Sequence, residues 1–188
     1  GKNIKYSELP YDENDIKNFY DKMLTSDWYK QRLIDNGYGI SNSSLSTPYA
    51  SMSKLFTSND DMNKEVNKII ESRRKVIKNI PITLNKDYST SYTNITDWNQ
   101  QDININPNEL NELRVHPRSA LTHEIGHAET DDFIKNNKSI SGIEEDIFKS
   151  NRKKYKTDFG RYVQTPKEAK GDINSIRYNL YKAGQFDV

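Results

Sequence analysis

Apolar residues in this chain repeat at two different periods, and the order in which those periods alternate restricts the architecture more than any other feature. Through the first eighty residues they recur at helical spacing. Ile16, Phe19, Tyr20 and Met23 share one face of a helix over 12–24, and Ser26 or Asp27 caps a second over 28–36, which Gly37 ends. Ser58 caps a third over 60–77, whose Met62, Val66, Ile69, Ile70 and Val76 form an apolar stripe stopped by Pro81. Residues 38–57, rich in Ser and without a clean period, read as a long surface loop. From 80 to 105 the period falls to two, and the runs 80–84, 91–95 and 103–105 read as strands of a small, largely antiparallel sheet. After Pro107 helical spacing returns over 119–129, 143–155 and 167–182, the last with Pro166 before it and Gly184 after it. A chain of 188 residues supports one core of this kind and is short for two. The expectation is one α+β domain over 1–188, mainly helical through 80, with strands and the later helices over 81–188.

Composition narrows the function classes. Hydrophobic residues are 33% and charged residues 29%, but 12 Tyr, 6 Phe and 2 Trp supply the aromatic faces that a packed core needs. Lys and Arg total 28 against 27 Asp and Glu, so no charge excess favours nucleic acid, an anionic membrane or another polyanion as partner. No run approaches the roughly 18 apolar residues of a spanning helix, and residues 1–5 have no apolar signal core. A soluble domain without a membrane span is expected, secreted or in the cell envelope if a leader once preceded Gly1. Cysteine is absent, which removes thiol nucleophiles and thiolate metal sites. Any metal must then be held by nitrogen and oxygen, and the three histidines, His116, His123 and His127, fall within twelve residues.

Two of them belong to His123-Glu124-Ile125-Gly126-His127, an H-E-x-x-H pattern. Four residues on a helix is one turn, so both imidazoles project from one face, about 6 Å apart along the axis, within reach of one ion. Zn²⁺ accepts imidazole nitrogen and a tetrahedral site of three protein ligands with one position for water. Glu124, next to the first histidine, is placed to take a proton from that water. By chance the pattern is expected on the order of 0.003 times in a chain of this length and composition. The bland alternative, two surface histidines on an amphipathic helix, fits poorly with the apolar flank of Ala120, Leu121, Ile125 and Ala128.

A third ligand must come from elsewhere. The extended pattern with Gly and His at 130 and 133 is absent, since those positions are Thr130 and Phe133. Asp131 and Asp132 lie near the expected helix end, where Asp is common. Glu168 and Asp172, four apart on the 167–182 helix, are better placed: one carboxylate can meet the metal while the other orients a histidine through its second ring nitrogen. Glu168 is favoured as the ligand, with Asp172 the alternative.

H-E-I-G-H-A followed by E-A-K-G-D resembles the gluzincin branch of the zincin metallopeptidases, over roughly 25 residues in two pieces. The texture of D-W-Y-K-Q-R-L at 27–33 and I-R-Y-N-L-Y at 176–181 is similar to small zinc peptidases of bacteria, especially of Bacteroidetes type. The resemblance implies a zincin-like fold, with a mostly antiparallel sheet packed on the H-E-x-x-H helix. It implies one Zn²⁺ held by His123, His127 and Glu168, Glu124 as general base, and Asp172 supporting a histidine. It further implies a peptide or protein substrate, paired with an edge strand from 91–105. Oxyanion donors would come from His116, Arg177 or Tyr178, or from a loop tyrosine such as Tyr38 or Tyr49. Two departures stand out: a long gap from His127 to Glu168, and Gly171 inside the ligand helix, where glycine weakens helix formation. The leading reading is a zinc metallopeptidase. The alternatives are a catalytically inactive binding domain that keeps the metal helix, and a peptidase toxin or effector module of a larger protein.

Overall fold

Ile16, Phe19, Tyr20, Met23 and Leu24 are buried together, as their helical spacing requires. The computed structural model describes residues 13–35, 58–84, 91–97, 100–112, 115–136 and 166–188, side chains at 92–100, 111–112, 130–136 and 166–167 excepted. Along them run α1 (Glu13–Thr25), α2 (Asp27–Asp35), α3 (Asn59–Asn79), β1 (Ile82–Leu84), β2 (Tyr92–Asp97), β3 (Gln100–Ile105), α4 (Pro107–Glu112), α5 (Pro117–Asn136) and α6 (Pro166–Lys182). The expected loop at 38–57 and helix at 143–155 lie outside the described residues.

Local chemistry sets the helix ends. Ser58 accepts the Asp61 amide at 3.1 Å and starts α3, satisfying one of the orphan donors of a first turn. Its carboxyl end is met by Lys17 of α1, whose Nζ donates to Ile80 O at 3.1 Å and Lys78 O at 3.4 Å, a cation where the helix dipole favours one. α6 ends in the left-handed conformation of Gly184, at φ +69°. The paired bonds Gly184 N to Tyr181 O and Gln185 N to Leu180 O close it.

One hydrophobic cluster joins α1, α2, α3, β3, α4, α5 and α6. At its centre the Phe19 ring meets Tyr20, Tyr178 and Tyr181 at centroid distances of 5.5, 5.2 and 5.3 Å. A fully buried side chain such as Phe19 contributes roughly 1.5–3 kcal/mol. No helix among the described residues is long and apolar enough to cross a membrane.

The expectation of a zincin-like α+β fold, with a mostly antiparallel sheet packed on the H-E-x-x-H helix, is overturned. Helices of 13, 9, 21, 6, 20 and 17 residues dominate the described residues, against strands of 3, 6 and 6. The three strands lie in the order β1-β3-β2, with β1 parallel to β3 and β2 antiparallel to it. Strands this short cannot cover a 20-residue helix, and α5 instead packs chiefly on α6, with the sheet a minor neighbour. Alternation located the strand residues but carried no information on their pairing, which joins Ile82 to Ile103 across a long connection.

Candidate metal centre

The helical spacing of His123 and His127 brings their rings to a centroid separation of 4.6 Å at 89°. His127 and Glu124 are buried, at 5% and 8% exposure. From α6, Glu168, also buried, presents one oxygen to each ring: Oε2 lies 3.2 Å from His123 Nε2 and Oε1 lies 3.4 Å from His127 Nε2. Asp172, one turn further along α6 and exposed, meets the other nitrogen of His123, with Nδ1 to Oδ1 at 2.9 Å. The two carboxylates that sequence spacing left as alternatives thus occupy different positions. Glu168 faces both Nε2 atoms, and Asp172 holds His123 from behind.

The donor set fits a small dication. Ligand atoms about 2.0–2.1 Å from a tetrahedral Zn²⁺ stand about 3.3–3.4 Å from one another, and the two Glu168 contacts match that separation. Glu124 also approaches, with an oxygen that shares a 4.8 Å neighbourhood with a nitrogen of each histidine. Glu124 and Glu168 are thus both within reach of an ion held by the two imidazoles, Glu168 through one oxygen to each Nε2 atom.

Burial alone would lower the pKa of His123. The hydrogen bond His123 donates to Glu168 and the charges of Glu124, Glu168 and Asp172 outweigh it, and the net direction is upward.

Two glycines set the approach of the helices. A Cβ on Gly171 would lie 2.8 Å from Cε1 and Nδ1 of His123, so the imidazole rests directly on the α6 backbone. A Cβ on Gly126 would lie 3.2 Å from the Gly171 Cα and from the Tyr20 hydroxyl. The glycine that counts against α6 by propensity is the one that admits the His123 ring. An isolated glycine inside a helical pattern is itself a packing signal.

The other candidates fall elsewhere. His116 caps α5: its carbonyl accepts the amides of Ser119 and Ala120 at 2.8 and 3.1 Å, and its Nδ1 accepts that of Arg118 at 3.2 Å. Burial and the Arg118 charge lower its pKa. Seven residues of helix place it about 10 Å along the axis from His123. Tyr178 is buried against Phe19 and donates to Asp15 at 2.5 Å. Arg177 donates to Asn174 at 3.0 Å and lies 5.1 Å over the Trp28 ring. None of the three joins the His123, His127 and Glu168 cluster. α5 continues through Asp131 and Asp132 to Asn136, further than expected. The side chains of both aspartates, and residues Tyr38 and Tyr49, lie outside the described residues.

Sequence reasoning missed a buried polar network beside the centre. Glu129 accepts from the Tyr29 hydroxyl and lies 3.4 Å from Nη1 of Arg73, while the same Nη1 donates to Tyr29 at 2.6 Å. Asn174 of α6 reaches Glu129 at 3.5 Å. The network ties α2, α3, α5 and α6 together two residues past His127. Its signal was Arg73, which sits among Met62, Val66, Ile70 and Ile77 on the buried face of α3.

No protein-family model, curated protein or solved structure matches the chain.

Proposed function

We propose that this chain is a zinc-dependent metallopeptidase in which His123, His127 and Glu168 hold one Zn²⁺ and Glu124 is the general base. The observation that carries the reading is the placement of Glu168 between the two Nε2 atoms, with Glu124 beside them on α5. It rests on the site and not on the fold.

When bound, zinc lowers the pKa of a water molecule and polarises a carbonyl group. With the ion held by the two histidines and a carboxylate, Glu124 would take a proton from the attacking water and pass it to the amine that leaves as the peptide C–N bond breaks. Asp172 accepts from His123 Nδ1, which leaves the Nε2 lone pair for the metal and fixes the ring. β2, one of the two edge strands of the sheet among the described residues and the one of six residues in contact with α5, offers an edge for main-chain pairing with an extended peptide.

The Glu124→Gln variant tests the assignment. It should retain zinc and its fold while losing zinc-dependent cleavage of a peptide library by a factor of a hundred or more. Undiminished cleavage would refute the role of Glu124. Zinc binding by the wild type without hydrolysis of any peptide would make the ion a tie between α5 and α6, the arrangement expected of a non-catalytic domain.

A further inference from the structure

On the side of α6 turned away from Glu168, Arg32 of α2 and Glu129 of α5 join Lys170, Ile173, Asn174 and Arg177 around a small pocket. Nine residues at about 100° each put Arg177 half a turn from Glu168, so this pocket is not part of the metal centre. It is small, so that one or two oxygens of an oxyanion enter it while the rest of the group stays outside.

Arg32 and Arg177 line it with one carboxylate, and Glu129 is already engaged by Tyr29 and by the buried Arg73. Arg177 is half-buried, held over the Trp28 ring, with Nη1 donating to Asn174 Oδ1. Among the described residues neither Arg177 nor Arg32 has a carboxylate within salt-bridge distance. Burial, and then the adjacent charge of Arg32, lower the pKa of Arg177 against the opposing charge of Glu129. A guanidinium fixed by stacking and by one hydrogen bond keeps the rest of its planar donor fork for an oxyanion. We propose that Arg177 and Arg32 form a binding site for one oxyanion, a carboxylate or phosphate group, separate from the metal centre.

Trp28 lies under Arg177 and reports occupancy. The full chain carrying Trp98→Phe, which leaves Trp28 as its sole tryptophan, is stripped of metal so that no metal-bound anion contributes. It is titrated with sodium phosphate and separately with sodium acetate at constant ionic strength. A saturable change in Trp28 fluorescence at millimolar concentration is expected. Tighter binding of phosphate identifies a phosphoryl ligand, and tighter binding of acetate a carboxylate. Arg177→Gln and Arg32→Gln should each weaken binding at least tenfold; the exposed Arg32 preserves the test if the Arg177 variant fails to fold. A linear response to both anions, or unchanged binding in Arg32→Gln, overturns the proposal.

Discussion

Gly171→Ala sets helix propensity against packing, with opposite consequences. Propensity alone predicts a gain of about 1 kcal/mol, since alanine is the better residue in a helix interior. Packing predicts damage at the metal centre. The new Cβ would stand 2.8 Å from Cε1 and Nδ1 of His123 and 3.0 Å from Cγ, where unstrained contact needs about 3.5 Å. The ring, or α6 itself, must move by about 0.7 Å. His123 has little freedom to do so, because Asp172 holds Nδ1 at 2.9 Å and Glu168 lies 3.2 Å from Nε2. Loss of one such charge-assisted bond costs about 1.5–3 kcal/mol, and 1.4 kcal/mol is about a factor of ten in affinity. Zinc affinity, measured by competition with a chromophoric chelator, should fall ten- to a hundredfold. A variant that melts at a higher temperature and binds zinc as tightly as the wild type would refute the reasoning.

Three further outcomes are expected. Glu129→Ala removes the carboxylate beside the buried guanidinium of Arg73, which is 2% exposed, and should cost about 3–5 kcal/mol in urea unfolding; a loss under 1 kcal/mol would mean that the network is slack. Ser58→Ala removes the α3 cap and should cost about 1 kcal/mol, read from the shift of the same midpoint. In the metal-free protein the folded pKa of His123 is raised above its ordinary value of 6.5. Its pairing with Glu168 and Asp172 therefore contributes stability that is fully present below the unfolded pKa and is lost as pH rises through the folded one. Zinc must displace that proton, so binding near neutral pH should release acid into weak buffer and weaken as pH falls; proton-neutral binding would contradict this.

What the sequence disclosed follows the range of its physical signals. Helical faces are local, and Ile16, Phe19, Tyr20 and Met23 are buried together as their spacing required. The Ser58 cap is equally local. Strand positions were readable from alternation, but the parallel pairing of Ile82 with Ile103 depends on how distant segments meet, which no short pattern records. The H-E-x-x-H spacing placed His123, Glu124 and His127 on one turn. The contact of Glu168 with both Nε2 atoms spans 41 or more positions and depends on the approach of α5 to α6 at Gly126 and Gly171. Gly171 was visible in the sequence and misjudged, because propensity considers a helix alone and the clearance it provides exists only between two.

The central claim is that His123, His127 and Glu168 together hold one zinc ion, and it is tested most directly by zinc titration of the wild type beside Glu168→Gln and Asp172→Asn. The account predicts one ion per chain, a loss of a hundredfold or more in affinity for Glu168→Gln, and a loss of about ten- to a hundredfold for Asp172→Asn, as for partners of a ligand histidine. Absence of zinc affinity in the wild type, or a larger loss for Asp172→Asn than for Glu168→Gln, would contradict it.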